Sequence, residues 1–235
     1  MKDPDFWQAF LNTAIWTIVG VLAALIFGFA LALGLSRVKI VSRVIKSIFF
    51  LPLALSLVVV GFIWFWIYRY DFGLINLFLR HIGKDSLTKD WLADPSTALI
   101  SVIIAWAWQQ ISLSMIIFLA GLTAVPTELI EASQVDGAKW RTQVRHVIIP
   151  SLAPAISVVI SLALINALKT FDIVYVMTQG GPFGKTRTLS ILSYREAFKS
   201  YDFGYSSAIA VVLFILTVTI IGGFMYVTRR GNRDE

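Results

Sequence analysis

The chain has 235 residues, 57% of them hydrophobic and only 14% charged, with a mean hydropathy of +0.78, whereas a soluble domain carries roughly 25% charge. That balance excludes an ordinary water-soluble fold. The net charge of +6 is no nucleic-acid footprint either, because the basic residues lie between apolar runs rather than in one patch. Without a cysteine there are no disulfides and no thiolate metal sites.

Charged residues divide the chain into uncharged windows at 6–36, 47–68, 96–127, 147–168 and 203–228. Each holds the ~20 residues needed to cross ~30 Å of hydrocarbon, and none has the polar face of a soluble bundle helix. The expected architecture is one all-α polytopic domain over 1–235, with five spans at about 10–35, 47–67, 98–122, 147–168 and 203–227. The first residues are no signal peptide: Asp3 and Asp5 accompany Lys2, the apolar run is long, and no small-residue cleavage pattern follows. Arg37, Lys39, Arg43 and Lys46 crowd the first connection, and Arg229, Arg230 and Arg233 follow the last span. By the positive-inside rule these ends are cytoplasmic, which places the N-terminus and the connections 69–95 and 169–202 outside.

The second span contains Pro52, an expected kink, and ends at Trp64, Trp66, Tyr68 and Tyr70, read as an outer interfacial belt. Gln109 and Gln110 stand at the middle of the third span, where hydrocarbon cannot satisfy an amide, so they bond a neighbouring helix or face a pathway. The segment 126–150 is too patterned for a bare connector. Pro126 suits a first helical turn, Glu128 and Glu131 suit its N-terminal half, and Asp136-Gly137 supplies a left-handed stop. Beyond it Trp140, Val144, Val147 and Ile148 recur at helical spacing opposite Lys139, Arg141 and Arg145, which predicts an amphipathic helix at the membrane surface running into Pro150.

At the end of the fourth span stand Asn166, Lys169, Thr170, Phe171, Asp172 and Tyr175. Ionisable groups in a membrane segment mark a pathway, but counting from Val147 puts Lys169 and Asp172 near the outer interface, where snorkelling accounts for them equally. The stretch 178–186 ends in Gly184-Lys185-Thr186 like a phosphate-binding loop, yet the required first glycine is Gln179, and no strand precedes it. Gly180-Gly181-Pro182 reads instead as a turn. Gly204, Ser206, Ser207, Ala208 and Ala210 give the last span a small-residue face suited to tight packing.

Glu131-Ala132-Ser133, then Asp136-Gly137-Ala138, then Val147-Ile148-Ile149-Pro150 is similar to the E-A-A…G…I-x-L-P signature of permease subunits of ABC importers that work with a substrate-binding protein. Ser133, Val147 and Ile149 are its departures. "FDIVYVMTQGGP" followed by "SYREAFKSYDFGYSSAIAVVLF" resembles the carbohydrate branch, which includes the maltose and glycerol-phosphate permeases. The resemblance implies a type I importer permease fold in the inner (plasma) membrane, with a cytoplasmic C-terminus. It further implies a second permease subunit, an ATPase dimer that holds the ATP and magnesium, and an outer binding protein that delivers sugar. Glu131, Ala132, Ser133, Asp136, Gly137, Ala138 and Pro150 would then couple to the ATPase, and Gln109 with the 166–175 residues would line the pathway. No catalytic, cofactor or metal residue is expected in this chain: His81 and His146 are isolated, and no serine sits in a nucleophile elbow. Family members usually have six or more spans, so the opening "DPDFWQAFLNT" is expected to end an outer loop after a missing first span. Within the class the alternative is a non-sugar solute; outside it, a secondary transporter would need a coupling-ion site and inverted repeats.

Overall fold

The structure, a computed structural model, describes residues 3–36 and 42–231, with side chains over 3–36 and 47–228. The Arg- and Lys-dense connection and the C-terminal arginines that orient the chain lie outside the described residues or side chains. Among the described residues all regular structure is helical: α1 (Pro4–Ser36), α2 (Ser42–Ala54), α3 (Leu57–Ile67), α4 (Leu74–His81), α5 (Ala98–Thr123) and α6 (Thr127–Val135). There follow α7 (Trp140–Gln143), a π-helical turn (Val144–Ile148), α8 (Ile149–Ser151), α9 (Ala153–Leu168), α10 (Asp172–Met177), α11 (Leu189–Phe198) and α12 (Phe203–Gly231).

Three helices are long and apolar enough to cross a membrane, α1, α5 and α12, and two bent pairs bring the number to five. The expected second span is α2 and α3, which meet at 110°. The break falls at Leu55 and Ser56, just after Pro52, whose ring removes one helical N–H. Ser56 then starts a new helix by accepting the Val59 N–H at its Oγ (3.3 Å). The expected fourth span bends by 70° between 140–151 and α9. Leu152 leaves the helical path, and Pro154 fits only within the first turn of α9. The straight part of that span therefore starts at Ala153, six residues later than a count from Val147.

The centre is a seam between parallel α1 and α5. Gly20, Ala24, Gly28 and Ala32 recur every fourth residue on the buried face of α1, while Ile18, Leu22 and Ile26 point outward, more than 45% exposed. Small residues inside and large apolar ones outside are the membrane arrangement, in which backbones approach closely. At Gly20 an added Cβ would lie 2.5 Å from the Trp106 ring, and at Gly28 2.5 Å from the Ser114 Cβ. Trp16 packs beside Trp106 (5.7 Å between ring centres) and Phe29 beside Phe118 (5.5 Å). α9 runs antiparallel to α5, with Leu152 and Ala155 against Gly121.

These directions put α6 and the end of α12 at one end of the bundle and α4, α10, α11 and the start of α1 at the other. The expected aromatic belt is only half outward. Trp66 and Tyr70 are exposed, but Tyr68 is buried, donating to the Ser101 carbonyl at 3.1 Å, and Trp64 packs on the same core. The small face expected on α12 is open within this chain except at Ser206, whose hydroxyl meets Ser193 (3.1 Å).

Candidate functional site

At one end of the bundle α6 forms a projecting knob. Its last turn closes with the Ala138 N–H on the Ser133 carbonyl (2.9 Å) and the Gly137 N–H on the Gln134 carbonyl (3.0 Å), with Gly137 at φ +74°. This is the double-bonded helix stop that a left-handed residue provides. Nothing lies within 4 Å of a Cβ built on Gly137, so the backbone angle alone favours glycine there. Glu131, Ala132, Asp136 and Gly137 are exposed, Ser133 and Ala138 half-buried, and Pro150 exposed on α8. Val135 is 88% exposed at the tip. Below them Val125, Ile148 and Leu152 form a small core with Ile130 and Val144, joined by Phe29 and Leu33 of α1. The amphipathic face expected at 140–148 is thus seated through Val144 and Ile148, while Trp140 remains 39% exposed. The knob rests on the bend that opens α9 and on α1.

Inside the bundle a cavity of about 410 Å³ is lined by Gln109, Gln110, Asn166, Lys169, Thr170, Phe171 and Asp172, with Leu53, Leu57 and Leu113. Gln109 and Gln110 are the twelfth and thirteenth residues of the 26-residue α5. The cavity therefore touches the midpoint of a full span, and Lys169 and Asp172, both exposed within this chain, line the same cavity from its outer side. Gln109 donates to the carbonyls of Pro52 (3.2 Å) and Leu55 (2.6 Å), on the broken turn between α2 and α3. It satisfies groups the break would leave open in hydrocarbon, and it also lines the cavity. Asn166 donates to Gln110 Oε1 at 3.0 Å, and the Thr170 hydroxyl donates to the Asn166 carbonyl at 2.6 Å. Tyr175 does not line this cavity. It stacks on Phe171 (5.2 Å, 19°) and meets Tyr194 hydroxyl to hydroxyl at 3.5 Å.

Such a set of amides, one ammonium, one carboxylate and an aromatic ring can bond a neutral, hydroxyl-rich solute at many points. Hydroxyls both donate and accept, and an aromatic face covers the apolar side of a ring.

The opposite end shows residues the sequence reading did not single out. The Asn12 amide donates to the carbonyls of Gly184 (3.0 Å) and Arg187 (2.9 Å), and the Leu189 N–H donates to Thr13 Oγ1 (3.0 Å). Asp5 pairs with Arg187 and Arg195, both at 2.7 Å, and the Tyr205 hydroxyl donates to Asp3 at 2.6 Å. The signal available was the polar pair Asn12-Thr13 opening an apolar run. The 178–186 stretch itself comes after α10, a helix, and Thr186 is fully buried with its hydroxyl on the Gly181 carbonyl (2.6 Å) and beside the Thr178 hydroxyl (2.7 Å). It is a closed turn and offers no phosphate cradle.

Residues 8–231 match the family model described as binding-protein-dependent transport system inner membrane component. The chain belongs to this family. The permease is 34% identical over 233 residues to a protein of Pyrococcus horikoshii named as a probable ABC transporter permease, spanning 99% of this chain and 80% of that one. It is 33% identical to the sulfoquinovosyl glycerol transport system permease protein SmoG of Agrobacterium fabrum, over 97% of this chain and 73% of that one. It is 32% identical to the trehalose/maltose transport system permease protein MalF of Thermococcus litoralis, over 96% and 75%. Among solved structures it superposes with a TM-score of 0.87, at 21% identity, on a chain of a bacterial ABC transporter that imports the acidic polysaccharide alginate, covering 97% of this permease and 80% of that chain. The MetNI methionine transporter is more distant, at a TM-score of 0.60 and 17% identity, covering 100% of this permease and 99% of that chain. The permease has the fold of the type I ABC importers.

Proposed function

We propose that this permease forms half of the pathway of an ATP-driven importer for a sugar or sugar-like solute. The other half is a second permease subunit. An ATPase dimer, which holds the ATP and magnesium, docks on α6 at the cytoplasmic end, and a binding protein delivers the solute at the outer end. The observation that carries the substrate class is the 410 Å³ cavity, where polar groups from the end of α9 and the start of α10 converge on Gln109 and Gln110 of α5. Relatives named as sugar permeases support the same class. The C-terminus then lies in the cytoplasm, with α6.

In this mechanism closure of the ATPase dimer moves the knob as a rigid body. Glu131 supplies a charge for a basic partner, and Ala132, Ser133 and Gly137 leave room for a cleft to close around the helix. Ile130, Val144, Ile148 and Leu152 pass the motion to the bend that opens α9. α9 carries Asn166 near its far end, so a tilt there reshapes the cavity, as alternating access requires.

The test is uptake of a panel of labelled mono- and oligosaccharides by vesicles holding the assembled system, with Asp172→Asn beside the wild type. The substitution removes a charge from the cavity without changing its shape. Uptake should fall while the amount of complex in the membrane stays constant. Normal uptake after substitution of both Lys169 and Asp172 would remove these two residues from the pathway.

A further inference from the structure

α1 reaches both ends of the molecule. Near its C-terminal end Phe29 and Leu33 join the apolar cluster that seats the knob, with Val125, Ile130, Ile148 and Leu152. Near its N-terminal end Asn12, only 2% exposed, gives both amide protons to the loop after α10, on the Gly184 and Arg187 carbonyls. Gln8 donates to Asn12 Oδ1 at 3.0 Å, which fixes the amide in that orientation. Thr13 accepts the Leu189 N–H, and Asp5 pairs with Arg187.

Among the described residues, every hydrogen bond or ion pair that ties 180–189 to a non-neighbouring part of the chain ends on α1. The loop is also closed on itself through Thr178, Gly181 and Thr186. α1 is an unbroken helix over both attachments, which from Asn12 to Leu33 stand about 32 Å apart at 1.5 Å per residue. It has no proline beyond its first residue, and Gly20 and Gly28 key it into α5. A straight helix fixed at both ends transmits displacement between them.

We propose that Asn12 is a positioning residue that makes the outer loop 178–188 follow α1, so that movement of the knob at the ATPase end is carried along α1 to the outer face. This rests on the ATP-driven reading above. It adds a second route for coupling, separate from the tilt of α9, and assigns the loop a state that changes with nucleotide.

The test uses the assembled complex in proteoliposomes, with a cysteine at Phe183, a residue 91% exposed at the loop tip in a chain that has no native cysteine. Its rate of labelling from outside is compared without nucleotide and after trapping with ATP and vanadate. We expect the two rates to differ in the wild type. Asn12→Asp keeps the shape of the side chain but removes both donors, and should abolish that difference while the ATPase remains bound and hydrolyses ATP. Asn12→Gln, which keeps a donor, should restore part of it. A role confined to loop stability would instead change both rates together and leave their ratio intact.

Where Asn12→Asp fails to reach the membrane, Thr13→Val combined with Asp5→Asn is read by the same ratio. Equal rates in the wild type, or a preserved ratio in the variants, would overturn the proposal. Loss of ATP-driven uptake in the wild type would strike the transport reading itself, which separates the two failures.

Discussion

Replacing Gly28 by alanine adds one methyl group where α1 comes closest to the α5 backbone at the seam. The new Cβ would lie 2.5 Å from the Ser114 Cβ, 3.2 Å from the Met115 backbone nitrogen and 3.3 Å from the Ser114 carbonyl carbon. Two of those three neighbours are backbone, so no rotamer change relieves the contact. Ordinary carbon contacts sit at about 3.5–4.0 Å, so the helices must part by about 1 Å, a gap that forfeits a quarter to a half of each neighbouring dispersion contact. Overpacking of this kind costs about 1–3 kcal/mol. Gly34 on the same helix is the control, because nothing lies within 4 Å of its Cβ. Alanine there should gain up to about 1 kcal/mol of helix propensity without a clash. Because both substitutions share the propensity gain, they should differ by the overpacking cost alone. For a chain of this size that corresponds to about 2–12 °C in melting temperature, measured on purified permease in detergent by thermal loss of the monodisperse peak. A Gly28→Ala protein that melts no lower than Gly34→Ala would refute the seam.

The same geometry carries three further expected outcomes. A cysteine at Ser42 should be labelled only from the cytoplasm and one at Lys185 only from outside; reversed labelling would undo the orientation and with it the ATPase docking. Glu131→Ala and Gly137→Val should leave the chain inserted but abolish uptake, with the ATPase lost or hydrolysing ATP without transport. A β-branched side chain at φ +74° costs on the order of 1–3 kcal/mol. Gly137→Asn, which tolerates that angle, should retain uptake, and equal uptake in all three would remove the knob from the mechanism. Gln109→Leu strands the Leu55 carbonyl, at about 1–3 kcal/mol for a buried group left unpaired, while the Pro52 carbonyl keeps the Leu55 N–H at 3.3 Å. The substitution should lower both melting temperature and uptake, and a wild-type profile would show that the α2–α3 break needs no brace.

The knob was legible because its chemistry is local. Asp136-Gly137, a preceding acidic helix and a later run of Val144 and Ile148 lie within some twenty residues, and a left-handed glycine stop can be read from its own neighbours. The cavity was half legible. Polar residues in an apolar span announce themselves, so Gln109 and the 166–172 group stand out, but their depth does not, because the bend at Leu152 is set by packing against Gly121 and by Pro154. Pro52 announced a kink, yet the 110° break depends on Gln109, more than fifty residues away in sequence. Asn12 meets Gly184 across 172 residues, and neither residue carries a mark of the other. The α1 seam was hidden for a different reason. From Ile18 to Leu35 every residue of α1 is apolar, so small residues at every fourth position there leave no polar contrast to reveal which face is buried.

The most direct test of the account is sugar accumulation in proteoliposomes that contain this permease with its partner permease, the ATPase subunits and the binding protein. The account predicts that sugar accumulates only when ATP and the binding protein are both present, and that Gly137→Val abolishes accumulation with the complex still in the membrane. Accumulation driven by an ion gradient without the ATPase, or a pathway that passes sugar equally well without ATP, would contradict it.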